Sequence, residues 1–161
     1  MFSLQVPDPD WLTRAPVRIA RELHLEASPA AVFAVLCDHA SWPSWFKGMR
    51  RTRVDGAAAG AGALRTVWVG ATRVQERFLV WEPDARLSFA VVASNVPGLR
   101  AMLEDWRLEP ETGGSKLSIT IGTEGAGIFA HAPGLVKAVV AASTTGAAGI
   151  TSVFTPPGGA G

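Results

Sequence analysis

Cysteine is nearly absent, since Cys37 is the only one in 161 residues. A single thiol excludes an internal disulfide and any multi-cysteine metal site, and it suits a reducing compartment. Net charge is nearly absent too. Lys and Arg number 15 against 14 Asp and Glu, leaving +1. That balance gives no reason to expect nucleic acid or an anionic membrane as the main partner. The three histidines, His24, His39 and His131, are scattered, and no HExxH occurs, so no metal is expected. No G-x-S-x-G elbow supports a serine hydrolase. The stretch at Gly60-Ala61-Gly62 lacks the GK[ST] of a phosphate cradle and reads as a hairpin turn. No cofactor is called for. The first residues hold neither a basic segment nor a long apolar one, so they do not read as a secretory signal. The longest uncharged run, Ala138 to Gly161, is rich in Ala, Gly, Ser and Thr. It falls short of the ~20 strongly apolar residues of a transmembrane helix. These absences predict a soluble, cytoplasmic protein with no nucleic-acid partner and no stable membrane insertion.

What is present is a core. Hydrophobic residues make up 48% of the chain and aromatics 8%, enough for one domain. Residues 1–16, with three prolines, read as an N-terminal arm, and 155–161 as a flexible tail. Between them, VRIARELHL (17–25) alternates apolar and polar residues, as a half-buried strand does. Ser28-Pro29 starts a helix, with serine as N-cap and proline in the first turn. A second short helix follows Ser41, ending at Gly48. MRRTRV, LRTVWVGA, TRVQERFLVW, RLSFAVVA, AMLEDWRLEP and KLSITIGTEG then alternate with short turns. Such connections are too short for parallel crossovers, so these strands form an antiparallel meander. Leu135, Val139, Ala142, Gly146, Ile150 and Phe154 recur at helical spacing and predict one long helix over about 134–154. Gly146 and Gly149 weaken such a helix by roughly 1 kcal/mol each, which close packing would offset. The fold class is α+β: about seven antiparallel strands, two short helices after the first, and a long C-terminal helix.

The stretch ASPAAVFAVLCDHASWPSWFKGMRR, with Trp81-Glu82-Pro83 and Trp106-Arg107-Leu108-Glu109-Pro110 further on, resembles the SRPBCC superfamily, also called START-like or Bet v 1-like. It is most similar to the polyketide cyclase/dehydrase branch. The resemblance implies a helix-grip fold over 17–154, in which a curved sheet wraps the C-terminal helix around a cavity. It also implies binding of an apolar or amphipathic small molecule, such as a lipid or polyketide. Some members cyclise or dehydrate a bound polyketide.

In such a fold one parity of each strand lines the cavity. The more apolar parity is Leu64, Thr66 and Trp68, then Val74, Glu76, Phe78 and Val80, with matching positions further on. This predicts a ligand wall of Trp68, Glu76, Phe78, Phe89, Met102, Trp106 and Ile119, completed by Leu135 and Val139 from the helix. A one-residue slip would exchange every one of them for its neighbour. Glu76 and Glu104 interrupt this apolar face. They are either acids or bases tuned by burial, or partners of strand arginines such as Arg65, Arg73, Arg77 and Arg107. His131, beside the last helix, is the third catalytic candidate, while His24 and His39 read as surface or capping residues. Cys37 reads as an inert helix thiol. Lys47, Arg50, Arg51 and Arg53 read as a solvated strand face, and Trp42 and Trp45 as anchors of the second helix. Three functions stay open: binding of a small apolar molecule, a cyclase/dehydrase reaction on one, or docking to a partner, including a homodimer, through the apolar last helix.

Overall fold

The computed structural model describes residues 1–131 and 133–155, with some side chains between 128 and 143 outside that set. Eight strands form one antiparallel sheet: β1 (Phe2–Ser3), β2 (Val17–Leu25), β3 (Met49–Val54), β4 (Leu64–Val69), β5 (Thr72–Glu82), β6 (Arg86–Ser94), β7 (Leu99–Glu111) and β8 (Gly114–Gly125). Seven run in the order β2-β8-β7-β6-β5-β4-β3, so the meander closes by returning β8 to β2. The two helices between β2 and β3, α1 (Pro29–Cys37) and α2 (Trp42–Trp45), span the distance between the two sheet edges.

Local chemistry places these helices. Ser28 Oγ accepts the Ala31 amide at 3.3 Å and Pro29 opens α1. Its buried residues Val32, Phe33 and Leu36 face the sheet. In α2, Trp42 and Trp45 sit one turn apart with ring centroids 4.7 Å apart. The Trp42 indole N–H donates to the Leu36 carbonyl at 2.9 Å, tying α2 to α1. Gly48, at φ +88°, takes the left-handed turn that leads into β3.

One long C-terminal helix is not what forms. Helix α3 covers Pro133–Ala147, a 3-10 turn covers Ala148–Ile150, and the four-residue α4 covers Thr151–Phe154. The cause lies at two glycines. A Cβ on Gly149 would stand 1.8 Å from the Trp45 carbonyl oxygen, and one on Gly146 2.5 Å from the Phe46 ring. The Lys47 amide also donates to the Gly146 carbonyl at 3.1 Å. The helix end is pressed against the α2–β3 link, and its backbone tightens as it passes.

The N-terminal arm is woven into the sheet. Strands β6 and β7 pair only over Arg86–Ala90 and Leu103–Arg107, then part. The arm enters that gap: β1 pairs with Ala93 and Ser94, and the Gln5 amide donates to the Arg100 carbonyl at 2.9 Å. Leu12 then packs on Ala90 and Leu103, forming a small second core on the sheet's outer face. The main core fills the inner face, under α1, α2 and α3.

Candidate functional site

Among the described residues, four buried ionisable side chains interrupt the apolar inner face. Arg65 on β4 stands directly across from Glu76 on β5. Two residues along, Phe78 pairs with Phe89, and Phe89 with Glu104 on β7. His39 comes from the α1–α2 link. All four are buried, with Arg65 only 1% exposed.

Their contacts assign roles. Arg65 Nε donates to Glu76 Oε2 at 2.5 Å. The flat guanidinium lies over Trp42 at 3.8 Å, with Phe89 at 4.9 Å and Phe78 at 5.2 Å. A planar delocalised cation suits this aromatic box better than an ammonium would. Arg65 Nη1 is 3.4 Å from His39 Nδ1. Arginine can only donate, so Nδ1 accepts and Nε2–H donates to the Ala58 carbonyl at 3.1 Å. The imidazole is thereby held neutral. Burial first and the Arg65 charge second lower its pKa to about 4, against weaker opposition from the Ala58 carbonyl and Asp38.

Glu104 is perturbed the other way. Burial and then the neighbouring Glu76 carboxylate push it up to about 7, partly offset by the Trp106 indole N–H, 2.9 Å away, and by Arg65. At neutral pH this carboxyl is present in both protonation states. It can therefore give a proton to, or take one from, a molecule held beside it.

The side chains around this cluster fill their end of the interior, since Trp42, Arg65, Phe78, Phe89 and Trp106 are at most 2% exposed. Further along the same face Met102 is only partly buried. Thr123, paired with Met102 and buried, has no hydrogen-bond partner for its hydroxyl among the described residues. Two hollows lie elsewhere on the surface: one of about 440 Å³ beneath the N-terminal arm, bounded by Gln5, Trp11 and Arg14, and one of about 280 Å³ between α1 and α2 beside Val153.

Of the expected wall, Glu76, Phe78, Phe89, Met102, Trp106 and Ile119 do share the inner face, together with Glu104. The side chains of Leu135 and Val139 lie outside the described residues. Trp68 does not belong: on β4 the inner parity is Ala63, Arg65 and Val67, and Trp68 points outward beneath Arg51 and Arg53. The two-residue turn at Gly70-Ala71 dictates this, because it sets Arg65, not Thr66, opposite Glu76. Val80 is likewise displaced: a bulge between Phe78 and Val80 turns Trp81 inward instead. His39 is no surface residue; it is buried 5.3 Å from the Phe78 ring. His131 is exposed at the end of a 3-10 turn, apart from the cluster, and His24 meets Glu111 at the surface at 2.8 Å. Burial and Asp84 push the Cys37 thiol up to about 11, so it stays protonated at neutral pH.

A curved antiparallel sheet packed against a C-terminal helix is the helix-grip arrangement of START-like and Bet v 1-like proteins. The chain belongs to the family described as polyketide cyclase / dehydrase and lipid transport, whose model matches residues 16–154. It is 30% identical over 115 residues to an uncharacterised protein of Mycobacterium tuberculosis, covering 70% of this chain and 69% of that one. Among solved structures it is similar to an aromatase/cyclase from Streptomyces, with a TM-score of 0.70, 15% identity, and coverage of 85% of this chain and 92% of that chain. A START superfamily protein from Mycobacterium smegmatis has a TM-score of 0.65 at 9% identity, with 86% and 99% covered. No helix among the described residues is long and apolar enough to cross a membrane.

Proposed function

We propose that the chain binds an apolar or amphipathic small molecule, lipid-like or polyketide-like, between the inner face of the sheet and α3. One observation carries this reading: Arg65, Glu76, Glu104 and His39 are buried where hydrocarbon would pack at no electrostatic cost. Replacing a buried ion pair by apolar residues is often neutral or stabilising, so stability alone does not explain it. The packed end beneath Trp42 leaves the ligand's body to the half around the partly buried Met102, between the sheet and α3. A polar atom of the ligand there would satisfy the Thr123 hydroxyl, and its polar head would meet Glu104. The family's description as cyclase/dehydrase and lipid transport supports the same ligand class.

A second reading rests on the Glu104 carboxyl at about 7. It would let the protein move protons on a bound polyketide-like substrate, in a cyclisation or dehydration. Native mass spectrometry of protein purified from its own host tests the first reading. The expected result is an added mass that denaturation releases. Bare protein, with no shift on adding a long-chain fatty acid or an aromatic polyketide mimic, would overturn it. Glu104→Gln separates the two: binding alone leaves ligand retention largely intact and nothing else to lose, whereas catalysis loses turnover while retention persists.

A further inference from the structure

The outer face of β3, β4 and β5 carries a patch that neither reading uses. Its rungs follow from the register: Arg51 opposite Trp68 opposite Arg73, Arg53 opposite Thr66, and Leu64 opposite Arg77. The four arginines are exposed and surround one partly exposed indole. Arg51 and Arg53 lie over that indole at 4.9 and 5.9 Å. From Lys47 to Arg77 the chain has seven basic and two acidic residues. Arg65 and Glu76 neutralise each other in the core, so the surface of this segment carries five net positive charges. The whole chain carries only +1, which leaves the rest of the molecule net negative. The near-zero total conceals an uneven distribution of charge along the chain.

Protection of an open edge explains part of this. β3 ends the sheet, and charged residues on an edge strand discourage pairing with other chains. Arg73 and Arg77 lie two strands inside that edge, where no such protection is needed. Nor does the core need Trp68, which is on the wrong face for it.

We propose that this face docks the protein on an anionic lipid bilayer. Guanidinium groups bind phosphate in a bidentate manner, and tryptophan favours the headgroup region, where its ring is half in water and half in hydrocarbon. Neither hollow described above is lined by a residue of β3, β4 or β5, so this face offers no pocket for a protruding partner. A bilayer, with no fixed relief of its own, conforms to it. The local excess of positive charge draws this face toward an anionic surface before contact. This reading is independent of what the interior holds.

Sedimentation with vesicles tests it. Partition onto phosphatidylcholine vesicles containing phosphatidylglycerol is expected, with little onto phosphatidylcholine alone and release at high salt. The triple variant Arg51→Gln, Arg73→Gln, Arg77→Gln is expected to lower that partition on the order of a hundredfold, about fivefold per arginine. Lysine at the same three positions keeps partition within a few-fold, which separates lost charge from lost fold. Neutralising Arg14, Arg18 and Lys137 instead changes net charge equally and leaves most of the partition. Absence of partition, equal losses in the two neutralised triples, or tighter binding to a single-stranded oligonucleotide or to polyaspartate than to the vesicles would each overturn the proposal.

Discussion

Replacing Glu104 by Gln probes the inner-face cluster through its protons. In the folded protein Glu104 holds its proton up to about pH 7, against 4.5 for the unfolded chain. Its contribution is fully present below pH 4.5 and is lost as pH rises toward 7. At 1.36 kcal/mol per pH unit this amounts to about 3 kcal/mol. His39 has the opposite sign. It resists protonation down to about pH 4, against 6.5 unfolded, so its contribution is present above 6.5 and lost as pH falls toward 4. Between pH 4.5 and 6.5 the folded chain keeps one proton, on Glu104, and the unfolded chain keeps one, on His39. The counts match, so this pair adds no slope to stability there. Glutamine can still accept the Trp106 N–H but cannot titrate. The variant therefore exposes the His39 limb alone. Urea denaturation across pH 4 to 8 at fixed ionic strength reads this directly. Relative to the parent, the variant loses about 3 kcal/mol between pH 7.5 and 4.5. Every other carboxylate cancels in that difference. Parallel curves for the two proteins would refute both the burial of Glu104 as an acid and the argument built on it.

Three further outcomes follow from the packing. Arg65→Leu leaves Glu76 buried without its partner and costs about 3–5 kcal/mol, whereas Arg65→Leu with Glu76→Leu recovers most of it; both are read as unfolding midpoints, and an equal loss in the double variant would count against the ion pair. Trp45→Ala costs about 3–5 kcal/mol, and Gly149→Ala, which drives a methyl into the Trp45 carbonyl, about 1–3 kcal/mol or more; a neutral Gly149→Ala in thermal melts would show that the helix end is not pressed there.

Strand positions were legible because alternation and turn glycines agree along 49–125, and MRRTRV is β3 to the residue. The face of β4 was not, because Leu64, Val67, Trp68 and Val69 are apolar on both parities. The decisive signal was the short turn at Gly70-Ala71, which joins the faces of Arg65 and Glu76. His39 was missed for a different reason. It sits in a link between helices with no periodicity, and only the chain's path over the sheet buries it. The break of the C-terminal helix was half visible: the glycines announced close packing, but not that the backbone would tighten against Trp45. The two-sided charge was hidden by a sum, since +1 says nothing of where the signs lie.

The contact of Gly146 and Gly149 with the link behind Trp45 also sets the mechanics of the grip. It is a pivot. The Lys47–Gly146 hydrogen bond and the missing side chains hold one end of α3 flush against the wall, so any tilt of the rod is a rotation about that end. At 1.5 Å per residue, Pro133 lies about 20 Å from Gly146. A tilt about that end that barely stirs the tryptophans would therefore displace the start of the helix by ångströms.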